Sequence, residues 1–85
     1  MAVPEGMIAI RAPMLGTFYR APAPGEKPFV VEGQRVRADD TVCLIEVMKL
    51  FTTINSEFAG RIAQIGAQNG ELVEYGRTLF VIEPV

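Results

Sequence analysis

Short apolar and β-branched runs, cut by Gly, Pro, Asn and Asp, recur along the whole chain: Met7 to Ala12, Thr17 to Arg20, Thr41 to Val47, Leu50 to Asn55, Arg61 to Ile65 and Thr78 to Ile82. Runs of this kind bounded by turn residues predict strands. No segment keeps the i, i+3, i+4, i+7 spacing of apolar residues that an amphipathic helix needs. The expected class is all-β, a sandwich or small barrel of short antiparallel strands. Residues 1–6 read as an N-terminal tail and residues 7–84 as one domain.

An internal repeat ties these strands together. Gly33 to Glu46 matches Gly70 to Glu83 at an offset of 37: Gly, Val, Thr, Ile and Glu coincide, and apolar residues meet apolar ones at 42/79, 43/80 and 44/81. Upstream, Pro13 to Phe18 resembles Glu57 to Ile62 at an offset of 44, on a Gly and its apolar neighbours. Two similar halves imply a pseudo-twofold β structure in which each half covers the other's apolar face. The offsets differ by seven, so the first half holds about seven extra residues between Gly16 and Gly33. The segment Ala21-Pro22-Ala23-Pro24-Gly25-Glu26-Lys27 supplies them. Pro has no N–H for a sheet ladder, so this insertion is predicted to project as a loop.

The first repeat ends near Glu46 and the second begins near Leu50 or Phe51, which leaves Val47-Met48-Lys49 as the junction with Lys49 at its tip. Read without a break, Thr41 to Ile54 would be one strand of 14 residues, where about 5–6 is usual. A hairpin folding at Met48-Lys49 gives two ordinary strands. Tight two-residue hairpins, however, want φ > 0 at both central positions and favour Asn-Gly or Gly. Met-Lys in such a turn would be kept against conformational preference, which points towards function.

Composition narrows the chemistry. Apolar residues make up 49% of the chain and charged ones 21%, as in an ordinary globular domain, and the formal net charge is −2. The arginines are scattered and carry no interleaved aromatics, so nothing argues for nucleic acid. No run approaches the roughly 18–20 apolar residues of a membrane helix. A single cysteine, Cys43, excludes an internal disulfide and fits a reducing, cytoplasmic setting; inside a predicted strand it reads as a small core residue. Without histidine, and with one Cys, the chain offers no zinc site and no Ser/His or Cys/His pair. Catalysis by this chain alone is not expected.

Glu46-Val47-Met48-Lys49-Leu50 resembles the biotinylation motif, whose commonest form is Ala-Met-Lys-Met preceded by Glu. Pro13-Met14-Leu15-Gly16-Thr17-Phe18-Tyr19, Gly33 to Cys43 and Asn69 to Gly76 extend the likeness from about Ile8 to Glu83. The chain is thereby similar to the biotinyl domains of multisubunit acetyl-CoA carboxylases, within the wider biotinyl/lipoyl attachment family. The resemblance implies a flattened β-barrel of two antiparallel sheets with covalent biotin on Lys49. A biotin protein ligase would form biotinyl-adenylate, whose acyl group the neutral ε-amine takes as an amide. Lys suits this because its amine can deprotonate, whereas Arg effectively never does. A biotin carboxylase would then load a carboxyl group onto the ureido nitrogen, using ATP and bicarbonate. A carboxyltransferase would receive it and make malonyl-CoA from acetyl-CoA. The chain would be the carrier and its partners the catalysts.

Val47 for Ala and Leu50 for Met are conservative departures from the motif. Met48 is expected to be read by ligase or carboxylase. For Glu46 two readings stay open, a motif residue or a solvent-facing strand end like its repeat mate Glu83. Residues 21–27 resemble the family's "thumb", which folds beside biotin. Where family thumbs often read Thr-Pro-Ser-Pro, this one reads Ala-Pro-Ala-Pro, so any contact must use backbone groups or apolar surface. A lipoyl carrier of the same fold is the nearest alternative, but such domains show Asp-Lys-Ala where this chain has Met48-Lys49-Leu50. A biotin carrier of another acyl-CoA carboxylase is a second alternative, and an unmodified module binding partners through its Pro-rich loop a more distant one.

Overall fold

The computed structural model describes residues 2–85; Met1, the first residue of the expected tail, lies outside the described residues. The elements are β1 (Ile8–Arg11), β2 (Gly16–Tyr19), β3 (Arg35–Val36), β4 (Thr41–Val47), β5 (Leu50–Asn55), β6 (Gly60–Ile65), β7 (Leu72–Val73) and β8 (Thr78–Pro84). All six strands expected from the pattern are present, four with ends moved by a residue or two. Strands β3 and β7 escaped the pattern because two residues are too few to show an alternation. They do coincide with the Val36/Val73 match of the repeat. No helix in the described residues is long and apolar enough to cross a membrane.

Two four-stranded antiparallel sheets form, in the orders β1-β8-β6-β3 and β5-β4-β2-β7. Exchanging β1 with β5, β2 with β6, β3 with β7 and β4 with β8 turns one sheet into the other, which is the pseudo-twofold symmetry the repeat implied. The halves do more than cover each other: each sheet takes two strands from each half. Loop bonds obey the same relation. Phe18 N–H donates to Glu71 O (2.8 Å) as Ile62 N–H does to Gln34 O (2.9 Å), and Gly70 N–H donates to Phe18 O as Gly33 N–H does to Ile62 O, both at 2.7 Å.

The weak match at offset 44 has a steric cause. A Cβ on Gly16 would come within 2.8 Å of Glu46 O, and one on Gly60 would run into Glu83 O. Both positions pack backbone against backbone, so both need glycine. The core between the sheets holds Phe18, Ile45, Ile62, Phe80 and Ile82, with the Phe18 and Phe80 rings tilted at 51° and 5.9 Å apart. Cys43 lies among them as expected, and burial pushes its thiol up to about 12.

Strand register also sets the poles of the 35 Å long molecule. Thr41 pairs with Asn55 at the end of β4–β5 remote from the tip, and a few residues later Gly60 pairs with Pro84. Ile8 faces Ile82 beside it. Both described chain ends therefore gather at the pole opposite Lys49.

Candidate functional site

Strand β4 ends at Val47, β5 starts at Leu50, and these two residues face each other across the two-residue turn Met48-Lys49. Met48 has φ 50° and Lys49 φ 67°. Positive φ at both central residues is what a type I′ hairpin demands, because only then does the turn follow the right-handed twist of its strands. The conflict seen in the sequence is thus real: two residues with side chains occupy left-handed backbone that glycine or asparagine would take more cheaply. The structure brings Glu46, Val47, Met48, Lys49 and Leu50 together at one pole, with Met48 88% and Leu50 75% exposed. A thioether and an isobutyl group so far out in water contribute nothing to the core.

Glu46 has an identifiable local role. Its Oε2 accepts the backbone N–H of Lys49 at 2.7 Å, closing the turn from below. Its repeat mate Glu83 stands opposite Arg61 and is engaged by that guanidinium, with Nε donating to Oε1 at 2.9 Å. Glu46 instead stands opposite Thr17, which carries no charge, so its carboxylate remains available to the turn. Equivalent positions in the two halves have therefore acquired different partners. Among the described residues no ion pair engages Lys49.

The Pro-rich insertion forms no strand and arches over the outer face of the β5-β4-β2-β7 sheet. Between arch and sheet runs a cleft of about 490 Å³, lined by Ala21 to Glu26 and Pro28 above and by Tyr19, Leu44 and Phe51 below. This volume is in the range of small-molecule sites, roughly 300–1,000 Å³. Lys27, the last residue of the expected insertion, does not line it; Pro28 does. Phe51 is 60% exposed and its ring lies 6.1 Å from that of Tyr19, so the floor is an open aromatic surface. Phe51 sits two residues from Lys49, about 7 Å along the strand. A group tethered to Lys49 can therefore lie along the floor towards the arch.

Tyr19, Phe51, Leu44, Arg20 and Asn69 were not singled out in the sequence. An aromatic at an outward-facing strand position was the one available signal, and the alternation around Phe51 was too short to show which face it took. The arch is fixed at its root. Phe29 N–H donates to Arg20 O (2.7 Å), Arg20 Nη2 donates to Val30 O (3.2 Å), and Arg20 N–H donates to Asn69 Oδ1 (2.8 Å).

Comparison with known proteins now bears on this geometry. Over 82 residues the chain is 48% identical to the biotin carboxyl carrier protein of acetyl-CoA carboxylase from a Nostoc species, covering 96% of this chain and 45% of that one. The Haemophilus influenzae protein of the same name is 43% identical over 87% of this chain and 48% of its own length. A chloroplastic counterpart from Arabidopsis thaliana is 43% identical over 88% of this chain and 27% of its own. The chain thus spans a half or less of these relatives. Among solved structures, the Kluyveromyces lactis urea carboxylase superposes with a TM-score of 0.77 at 27% identity, covering 96% of this chain and 7% of that one. The family model described as "Biotin-requiring enzyme" matches residues 8–82, a span that runs from the start of β1 into β8 and includes the hairpin and the arch. With nearly its whole fold inside that match, the chain belongs to the biotin-requiring enzyme family.

Proposed function

We propose that this chain is a biotin carboxyl carrier, with biotin in amide linkage to Nζ of Lys49, serving an acetyl-CoA carboxylase. The carrying observation is the hairpin: an exposed lysine in a two-residue turn of left-handed backbone, at the pole remote from both described chain ends. The names of the relatives, which match over 87–96% of the chain, support the same reading.

The residues present fit the group. Lys49 is a nucleophile with no ion-pair partner among the described residues, and a strained, hydrogen-bonded turn holds its backbone in place. The neutral amine attacks the acyl carbon of biotinyl-adenylate on a biotin protein ligase; the C–N bond forms, AMP leaves and the amine proton passes to a base. Biotin, when attached, supplies a ureido nitrogen that takes up and releases a carboxyl group. Val47, Met48 and Leu50 give a ligase, a biotin carboxylase and a carboxyltransferase an apolar collar to grip around the modified lysine. The arch and the Tyr19–Phe51 floor hold the bicyclic head between visits through apolar surface and backbone groups, since the arch carries no hydroxyls. The chain contributes position and tethering, and its partners contribute catalysis. A reducing compartment such as the cytoplasm suits its one buried thiol.

The test is transfer of label. Biotin-loaded chain incubated with biotin carboxylase, ATP and labelled bicarbonate is expected to take up label, and acetyl-CoA with carboxyltransferase to remove it as malonyl-CoA. Label on a Lys49→Arg chain, or a lipoyl group found on Lys49, contradicts the carrier reading. Release to a different acyl-CoA alone would overturn the assigned acceptor.

A further inference from the structure

At Arg20 the two halves of the molecule part company. Its counterpart in the second half, past the bulge between Ile62 and Gln64, is Ile65, which stays in β6 opposite Phe80, so the strand continues. Strand β2 stops at Tyr19, and the chain leaves the sheet to make the arch. The N–H of Arg20 lies beyond the β2–β7 pairing, which covers only Gly16 and Thr17, and Asn69 Oδ1 accepts it at 2.8 Å. Asn69 comes from the β6–β7 turn, whose backbone bond Gly70 N–H to Phe18 O is repeated in the other half by Gly33 N–H to Ile62 O. The side-chain link is the addition, found where the insertion is. Arg20 meanwhile binds the returning segment twice, through its carbonyl to Phe29 N–H and through Nη2 to Val30 O. Outgoing chain, returning chain and the β6–β7 turn are thus joined at one residue.

We propose that Asn69 is a positioning residue that latches the root of the arch and so sets the height of the roof over the cleft that receives biotin. The inference rests on the reading of Lys49 and the arch given above. Asn69 is exposed and outside the core, so its loss acts on the arch and spares the sheets. An aspartate at the same place keeps an acceptor for the Arg20 N–H; an alanine leaves that N–H without one.

The experiment compares biotin-loaded wild type, Asn69→Ala and Asn69→Asp by amide hydrogen exchange and by the NMR signals of the biotin ureido protons. In Asn69→Ala, exchange at Arg20 and Phe29 should rise about tenfold while Ile45 and Phe80 are unchanged. The ureido signals should move towards those of free biotin, and Asn69→Asp should restore both readouts. Unchanged exchange at the root in Asn69→Ala, acceleration that spreads equally to Ile45 and Phe80, or failure of Asn69→Asp to restore would each overturn the latch. If Asn69→Ala frees the arch while the ureido signals of the wild type already equal those of free biotin, the latch stands. The arch's place over biotin is then what fails.

Discussion

Met48 and Lys49 show what side chains in a left-handed turn cost. Each non-glycine residue in left-handed backbone is destabilised by roughly 1–2 kcal/mol, partly offset by the Glu46 carboxylate on the Lys49 N–H. Met48→Gly is therefore expected to raise stability by about 0.5–1 kcal/mol, read as a higher Tm, and to lower the rate of biotin incorporation because the apolar collar is cut. Faster incorporation would show that the Met48 side chain is not what the ligase reads. The poor turn chemistry was legible in the sequence. The Glu46 bond was not, since it depends on Thr17 rather than an arginine standing opposite, and register is not written in one strand alone. Cys43 was legible as core. Its thiol titrates higher folded, at about 12, than in its ordinary range near 9. The stability its neutral form contributes is thus complete below about pH 9 and is lost as pH rises towards 12. Iodoacetamide at neutral pH should leave Cys43 unmodified until the domain unfolds; labelling at the rate of a free thiol would contradict its burial.

At the scale of elements, the two glycines that meet opposing carbonyls are not equivalent in cost. At Gly16 the nearest atom to a new Cβ is the Ile45 Cγ2 methyl, which can shift, whereas at Gly60 it is the Glu83 carbonyl oxygen, which cannot shift without moving β8. Gly60→Ala should therefore destabilise more than Gly16→Ala, with both in the range of about 1–3 kcal/mol for overpacking. Urea unfolding measures the difference, and equal midpoints would contradict it. The insertion was readable from the change of offset and its prolines, and so was its projection. The cleft was not, because its floor comes from Phe51 and Leu44, brought under the arch only by the pairing of β4 with β2 and β5. For the same reason nothing in the sequence tied Asn69 to the arch: its partner, Arg20, lies 49 positions away.

For the whole molecule, the decisive feature is that each sheet draws two strands from each half. Neither half can close a core alone, since Phe18 and Ile45 of the first pack with Ile62, Phe80 and Ile82 of the second. Chains cut at the hairpin, residues 1–48 and 49–85, should each be unfolded alone by NMR; a half that folds by itself would contradict the interlocked architecture. The repeat made the symmetry visible in the sequence but not this exchange of strands, which is a matter of topology. The same topology puts Lys49 at one pole and the described chain ends at the other, so neither end crowds the hairpin. Since the chain has only two lysines, Lys27 and Lys49, the most direct measurement is the intact mass of wild type, Lys27→Arg and Lys49→Arg after incubation with biotin, ATP and a biotin protein ligase. One biotinyl group on wild type and on Lys27→Arg, with none on Lys49→Arg, is the result expected. Biotin on Lys49→Arg, or none on any of the three with a ligase shown to be active, would contradict the account.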